Sequence, residues 1–591
     1  MNLIPSRTGI IATAIGAISL ILSSCVNINE ELGGNFIPTD QIWNVFPCGD
    51  VVLKDIRIEK SDSLSGYSTS RFTFGSVKDD NFVSDRTTSF TLVPLADSLD
   101  FGENTEILQF HFTAIRDTLS TLDDYQERIL QNVYVHPLKA PLDSNILYSN
   151  SLTNESTLDA FVDLQKVITV GTPIYDGGDS LTFNFSKEYA QSVIDGIKEF
   201  QGLDATLKDS LSNYLKHVPG IYMRTDTQFE KGGRINMFEL PLKASDGYLD
   251  GNYAELKIRA KYKGKSDYTD TLFIFYFGPS EFLKDDATAY PTQYAFNGSS
   301  SRSNVASFVE DWNAEPSTKD KIYIEGGNGV KPVIKAAEIK EIVDRLVKEA
   351  EEKSQGTLNM DEVVINKATI ILPYNVGADY DLLDKFPTIL SPTVKLRSKD
   401  NKYVSYAGLT DSSIETENQG DINRSLSMYC PDISHHVQEI MKLKKETGET
   451  DADFSKRLSK YDIWLLIMHK ETKETNTSGS QYDDYYNSLL YNSYYNNMMY
   501  DPYGYGYGYG GYGGYGYGGY GGYGYGYDNY YNYYMMAAYA NASNSSSTTS
   551  SSSIELDKDR FYNAILNGPA AGGDDIKQKP RIKITLSAPN K

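Results

Sequence analysis

The position whose residue types and spacing specify a covalent chemistry is Cys25, at the end of Leu22-Ser23-Ser24-Cys25. It closes an apolar run, Ile10 to Leu22, behind a polar start that carries one cation, Arg7. A thiol after two small side chains at the end of such a run has the form of a bacterial lipobox. The small residues suit the signal peptidase, and the thiol is the nucleophile that takes a diacylglycerol. The run is too short to cross a bilayer as a helix, which needs about 20 residues, and its flanks fit a secretory signal. The expectation is a signal peptide over 1–24 and a mature chain lipidated at Cys25. The competing reading is an ordinary secreted protein with an incidental cysteine. Each buried methylene contributes roughly 0.8 kcal/mol, so two or three acyl chains hold a protein to the membrane. Position 26 is Val rather than Asp, so the usual inner-membrane retention signal is absent. The expected location is the outer membrane, with its periplasmic and surface sides both left open. Glu30 and Glu31 follow close behind, as surface-export signal or as plain solvated linker.

Other groups were weighed for chemistry. His435-His436 is the one His pair. On a helix its side chains point about 100° apart, which favours helix-surface histidines over a metal site. Gly511 to Gly516 matches Gly-x-Gly-x-x-Gly in letters, but neither a strand before it nor a helix after it is expected. Gly326-Gly327-Asn328-Gly329 lacks the Lys-Ser/Thr of a phosphate loop and reads as a turn. Asp246, Asp250 and Asn252 lack calcium-loop spacing and read as a hairpin turn. No Gly-x-Ser-x-Gly or His-Glu-x-x-His occurs. The expectation is therefore no catalytic residue, no metal and no cofactor.

Asp-Ser/Thr-Leu recurs, with its hydroxyl at Ser63, Ser98, Thr118, Ser180, Ser210 and Thr271. The triplet is similar to the O-glycosylation acceptor of exported Bacteroidetes proteins. Ser210 falls in an expected helix and Thr271 opens an expected strand. Ser63, Ser98, Thr118 and Ser180 are left as the candidate acceptors.

These positions need elements to hold them, and most of the expected elements are strands. Ala254 to Tyr262 alternates strictly: Ala254, Leu256, Ile258, Ala260 and Tyr262 against Glu255, Lys257, Arg259 and Lys261. That is a half-buried antiparallel strand, turned at Gly264 to Asp267 and returned by Thr271 to Phe277. Shorter strand patterns cover Val51 to Ile58, Phe72 to Phe74, Ser89 to Val93, Ile107 to Phe112, Ile322 to Ile324, Val363 to Leu372, Ile463 to Met468 and Arg581 to Leu586. Ser186 caps a helix that Gly202 stops, and Asp204 opens a second ended by Pro219-Gly220, an αα-hairpin near 186–217. Ile339 to Ala350 and Ile433 to Met441 carry helical stripes.

The fold class expected is mainly β, with two antiparallel β-rich, sandwich-like domains and a few packed helices. The first domain is placed at 46–296, after a tether over 25–45. The second comprises 305–474 plus 554–591, and the polar run 297–304 separates the two. Residues 475–553 form a low-complexity insertion whose middle, 503–527, is only Gly and Tyr, and whose end is mostly Ser and Thr. Such a composition cannot offset its ordering entropy, so a long disordered loop is expected. It is either a sticky surface loop or a neutral repeat expansion.

Formal net charge is −23 over 591 residues; removing 1–24 takes away Arg7 and no acid, leaving −24. That argues against nucleic acid as a partner and suits a solvated extracytoplasmic protein. Of three cysteines, Cys48 and Cys430 remain once Cys25 is acylated. They are read as separate buried thiols, with a bridge between them as the alternative.

The ordered segments also resemble a family. They are Leu32-Gly33-Gly34-Asn35-Phe36-Ile37-Pro38, Phe74-Gly75-Ser76-Val77-Lys78-Asp79-Asp80-Asn81-Phe82, Tyr323-Ile324-Glu325-Gly326-Gly327-Asn328-Gly329-Val330, Ile365-Asn366-Lys367-Ala368, Tyr562-Asn563-Ala564-Ile565-Leu566-Asn567-Gly568 and Lys579-Pro580-Arg581-Ile582-Lys583-Ile584. In this order they resemble the Bacteroidetes outer-membrane lipoproteins grouped as domain-of-unknown-function family 4270. Asn35 stands where an acid is common, Asp80-Asn81 lacks the usual Pro, and the last strand ends in Leu586 rather than an aromatic. The resemblance implies a β-rich, lipid-anchored outer-membrane protein and supplies no activity. The expected function is non-enzymatic, as a binder or as an accessory of a larger complex. A glycan and an outer-membrane protein are the partner classes left open, and the membrane is engaged through lipid. The alternative is a glycan-acting enzyme such as a hydrolase. That enzyme needs two carboxyls about 5 to 9.5 Å apart in a deep cleft, whereas a binder needs a shallow platform or apolar patch.

Overall fold

The computed structural model describes residues 43–60, 71–78, 82–96, 98–121, 127–142, 155–204, 211–245, 248–277, 296–301, 306–327, 329–377, 383, 386–397, 404–409, 411, 420–475, 549–556 and 563–590. The protein is mainly β, built of antiparallel sheets with a few packed helices.

The alternating stretch forms the strand Tyr253–Lys261, and it pairs with Thr269–Tyr276 from Tyr253↔Tyr276 to Ala260↔Thr269. Ala254, Leu256, Ile258 and Ala260 are fully buried while Lys257 and Arg259 are exposed. The pattern fixed the buried face because successive side chains leave a strand on opposite sides. Ser186 caps the helix Lys187–Gln201 by accepting a hydrogen bond from the Tyr189 N–H, and Gly202 closes it.

The strands Thr269–Tyr276 and Tyr253–Lys261 belong to a large sheet that continues with Glu103–Thr121, Gly232–Glu239, Arg71–Lys78, Val83–Phe90, Ile221–Arg224 and Tyr134–Pro137 in that order. The sheet curls back on itself. Phe90 lies on a strand five spacings from Thr269–Tyr276, which Phe277 directly follows, about 24 Å in a flat sheet, yet the two ring centroids are 4.9 Å apart. The long strand Glu103–Thr121 makes the bend. It pairs with Tyr253–Lys261 along its first half, with Ser180–Asn184 at its middle and with Gly232–Glu239 along its last turn of sequence.

The expected domain borders need three corrections. Trp43–Val52 is not part of the first β-rich domain. It pairs with the last strand, Arg581–Pro589, and Ile56–Glu59 pairs with Lys331–Ile334. The unit spanning 71–301 is thus inserted into a second, discontinuous unit made of 43–59 and 306–590. A strand's period shows which face it buries but not which distant strand it joins. Second, the polar run from Asn297 is not a plain linker: Phe296–Ser301 pairs with Val83–Phe90. Asn297 is buried, accepting from the Thr73 N–H at 3.0 Å and donating to Arg71 O at 2.9 Å. Third, Thr549–Leu556 is a strand paired with Ile463–Thr475, so the Ser/Thr run 549–553 belongs to the sheet. Backbone pairing needs no apolar side chain when a partner strand is supplied. Residues 476–548, with the Gly/Tyr run, lie outside the described residues. The ends flanking them meet at Thr475↔Thr549.

The main core of the discontinuous unit is drawn from its three sheets and the helices Ala336–Lys353 and Ser434–Lys442. The two units meet where Phe82 packs edge-on against Tyr323, with ring centroids 5.8 Å apart. There the Arg86 guanidinium lies over Gly327, which sits at φ 55°; a Cβ on that glycine would fall 2.0 Å from Arg86 Nη1. Two of the segments that carry the family resemblance therefore meet at this junction. Gly326 to Gly329 is the expected turn, closed by Gly329 N–H to Gly326 O at 3.2 Å. The buried Lys331 ammonium braces it by donating to Glu325 O and Gly327 O.

Candidate functional site

Cys25 and Ser63 lie outside the described residues. Ser98 is exposed in the loop after Val93–Pro94, and Ser180 is exposed at the start of its strand. Thr118 is on the strand Glu103–Thr121, opposite Met237. Cys48 and Cys430 are both free and half-buried. Cys430 directly follows the strand Met428–Tyr429, and two strands lie between that one and Trp43–Val52, about 14 Å of sheet, twice what a disulfide spans.

His436 corrects the helix-surface expectation. It is 4% exposed, with Nε2 2.8 Å from Tyr461 O. Burial lowers its pKa to about 4, so near neutrality it is uncharged and Nε2–H is the donor. No group of three or more His, Cys, Asp or Glu among the described residues is arranged to hold a metal. Asn252 is a backbone clasp at φ 62°, accepting from the Ile115 N–H at 2.8 Å and donating to Pro241 O at 2.7 Å. Asp250 lies in the hairpin strand Tyr248–Gly251, paired with Lys243–Ser245.

A catalytic acid would announce itself as a carboxyl with a raised pKa in a cleft. Glu338, Asp411 and Asp462 have raised pKa values, each chiefly through burial. All three are spent on backbone N–H groups. Glu338 accepts from Lys54 and Asp55, at 2.5 and 3.1 Å. Asp411 accepts from His435 and His436 at the start of their helix, at 2.7 and 3.1 Å. Asp462 accepts from Ala336 at 2.9 Å, starting another helix, and holds the Lys335 ammonium at 3.1 Å. Carboxylates suit helix N-termini because those N–H groups have no partner within the helix.

Arg234, one of three buried arginines of the inserted unit, is equally occupied. Arg234 is fully buried and donates to Asn236 Oδ1, Glu127 O, Ile129 O and Tyr175 O at 2.6 to 3.1 Å. Burial lowers its pKa to about 10, outweighing the pull of nearby Tyr175 and Asp176. Arg116 and Arg128 close the same loop through Gly177 O. The arrangement ties loops to the sheet.

The arrangement with binding geometry is at an edge of the curled sheet. Val93–Pro94 covers Thr269–Tyr276 only at Phe275 and Tyr276, extended by Leu95 N–H to Ile274 O at 2.8 Å. Because Ile274 turns its peptide groups toward that side, so do Leu272 and Asp270, by the period of two. Their outer neighbour is missing among the described residues. Beside this edge lies a cavity of about 220 Å³ lined by Leu95, Ala96, Leu99, Leu272, Phe273 and Ile274. Leu272 is 48% exposed at its rim, and Ser98 sits in the loop that forms its far wall. Sequence reading missed the site because Thr271 to Phe277 looked like an inner hairpin partner. No signal in the sequence marked it, because the exposure of Leu272 exists only once the sheet is assembled.

No family model, curated protein or solved structure matches the chain. Function is therefore argued from the site.

Proposed function

We infer that this is a lipid-anchored outer-membrane lipoprotein with a non-enzymatic role, binding or assembling with an outer-membrane protein. The anchor is supported by the run Ile10 to Leu22 ending in Ser23-Ser24-Cys25. The partner class is supported by one observation: the open edge at Asp270 and Leu272 beside an apolar cavity. Unpaired N–H and C=O groups recognise an extended peptide, and an adjacent pocket takes one of its apolar side chains. A sugar would be met better by an aromatic platform or a polar cleft. The hydrolase alternative has less support, since the carboxyls with raised pKa are committed to backbone caps.

The test is affinity purification from native membranes in mild detergent, comparing wild type with Leu272→Pro. The Leu272 N–H faces the open edge, so proline removes a docking donor without removing a ladder bond to Tyr253–Lys261. A partner lost from the variant while its melting curve is kept supports the reading. A partner recovered equally with both proteins, or glycan hydrolysis by the purified chain, overturns it. Glycan on Ser98 would stand at the cavity wall. Peptide mass spectrometry of native protein is expected to find sugar on at least one of Ser63, Ser98, Thr118 and Ser180, and an intact mass of peptide plus lipid alone refutes that.

A further inference from the structure

Among the described residues the strand Trp43–Val52 is an edge, paired with Arg581–Pro589 on one side only. Phe46 and Cys48 pack on the core, while the alternate residues Trp43, Val45 and Pro47 are exposed on the outer face. Trp43 is 46% and Val45 57% exposed. The chain's other two tryptophans, Trp312 and Trp464, are 7% and 8% exposed. Val364 adds a half-buried apolar side chain to that face, since it and Val45 flank the same residue, Ser587.

Another strand is a poor fit for this edge. Pro47 offers no N–H, and the ladder breaks between Pro47 and Asp50, with Gly49 at φ 77°. A proline and a bulge are devices that block edge pairing. A basic patch is not the attraction either, because Asp361 and Glu362 are exposed at the same end, just before Val364. What is left is an indole and a valine facing outward, and indole is the side chain most at home in the headgroup layer of a bilayer. The chain that precedes Trp43 leads directly to Cys25. The intervening residues 26–42 span at most about 60 Å when fully extended, so an acylated Cys25 keeps this edge within reach of the membrane.

We propose that the outer face of the edge strand Trp43–Val52 rests on the lipid bilayer, with Trp43 and Val45 in the headgroup region. The inference depends on the lipidation of Cys25 proposed above. It orients the molecule: the discontinuous unit is the membrane-proximal one, and the inserted unit with its open edge is held by it.

The experiment uses the mature acylated protein in vesicles of phosphatidylethanolamine and phosphatidylcholine with brominated acyl chains. Tryptophan emission is expected to be quenched by the bromolipid, and the quenching is lost in Trp43→Phe. Val45→Asp is expected to weaken it while leaving the melting curve unchanged. Because contact is led by the indole, about 1 M salt should not reverse it. An acylated, folded protein whose Trp43 is quenched by aqueous iodide and not by bromolipid overturns the docking and leaves the anchor standing. A native protein with no acyl chains by mass spectrometry overturns the anchor itself, and the inference falls with it.

Discussion

The inserted unit is held by phenylalanines, the discontinuous unit by branched aliphatics. Around Phe112 stand Phe183, Phe277, Phe90 and Phe185, with ring centroids 4.7 to 6.1 Å away. The other core is mostly Ile, Leu and Val, among them Ile339, Val343, Ile370 and Ile584. The difference follows from architecture. A sheet curling onto itself is filled largely from its own inner face, closed here by Val193, Ile194 and Ile197 of one helix, and one aromatic ring reaches further across the gap than an aliphatic side chain. The discontinuous unit lays helices on sheet, and smaller branched residues fill the closer spacing. Their buried polar groups differ in the same sense. Arg234 ties loops to the curled sheet, whereas Glu338, Asp411 and Asp462 cap backbone at helix starts and at one turn.

The comparison breaks most visibly by removing a ring. Phe112→Ala is expected to destabilise the inserted unit by about 3–5 kcal/mol. If the cores are as separate as they look, calorimetry shows one transition shifted and the other in place; two transitions moving together would show one cooperative core. Next comes pH. The folded-state pKa of His436, near 4, lies below its unfolded value of about 6.5. Stability from keeping it neutral is present above pH 6.5 and is lost as pH falls toward 4, by about 3 kcal/mol in all. The raised carboxyls Glu338, Asp411 and Asp462 act with the opposite sign, since protonating them relieves a burial cost. The difference between wild type and His436→Gln isolates the histidine. Gln still donates to Tyr461 O, and its unfolding profile should be flatter between pH 6.5 and 4. A smaller effect is expected at Ser186, whose hydroxyl caps Lys187–Gln201 in the inserted unit. Ser186→Ala should cost about 1 kcal/mol, read as a shifted denaturant midpoint. The smallest is Asp270→Asn. The Arg259–Asp270 pair, at 2.7 Å, is solvent-exposed, so the melting temperature should not move.

How much of this was legible depended on distance along the chain. The buried face of Tyr253–Lys261 was readable because Lys257 and Arg259 alternate with Leu256 and Ile258. The inward stripe Ile339, Ile342, Val343, Leu346 and Ala350 was readable for the same kind of reason, with a period near 3.6. The partner of Trp43–Val52 was not, since nothing in Val51 and Val52 names Ile582 and Arg581. The edge beside Leu272 was not either, since an edge is defined by the strand that fails to arrive.

By itself the sequence determined the face that Tyr253–Lys261 buries, the inward stripe of the helix Ala336–Lys353, and where Ser186 and Gly202 start and stop a helix. The tertiary structure alone decided that one unit is inserted in the other, that Cys48 and Cys430 lie too far apart to join, and that the perturbed carboxyls serve as caps. The physical reason is that side-chain periodicity and capping act over one or two turns. Strand partners are chosen by burying a common core, and that choice depends on residues hundreds of positions away.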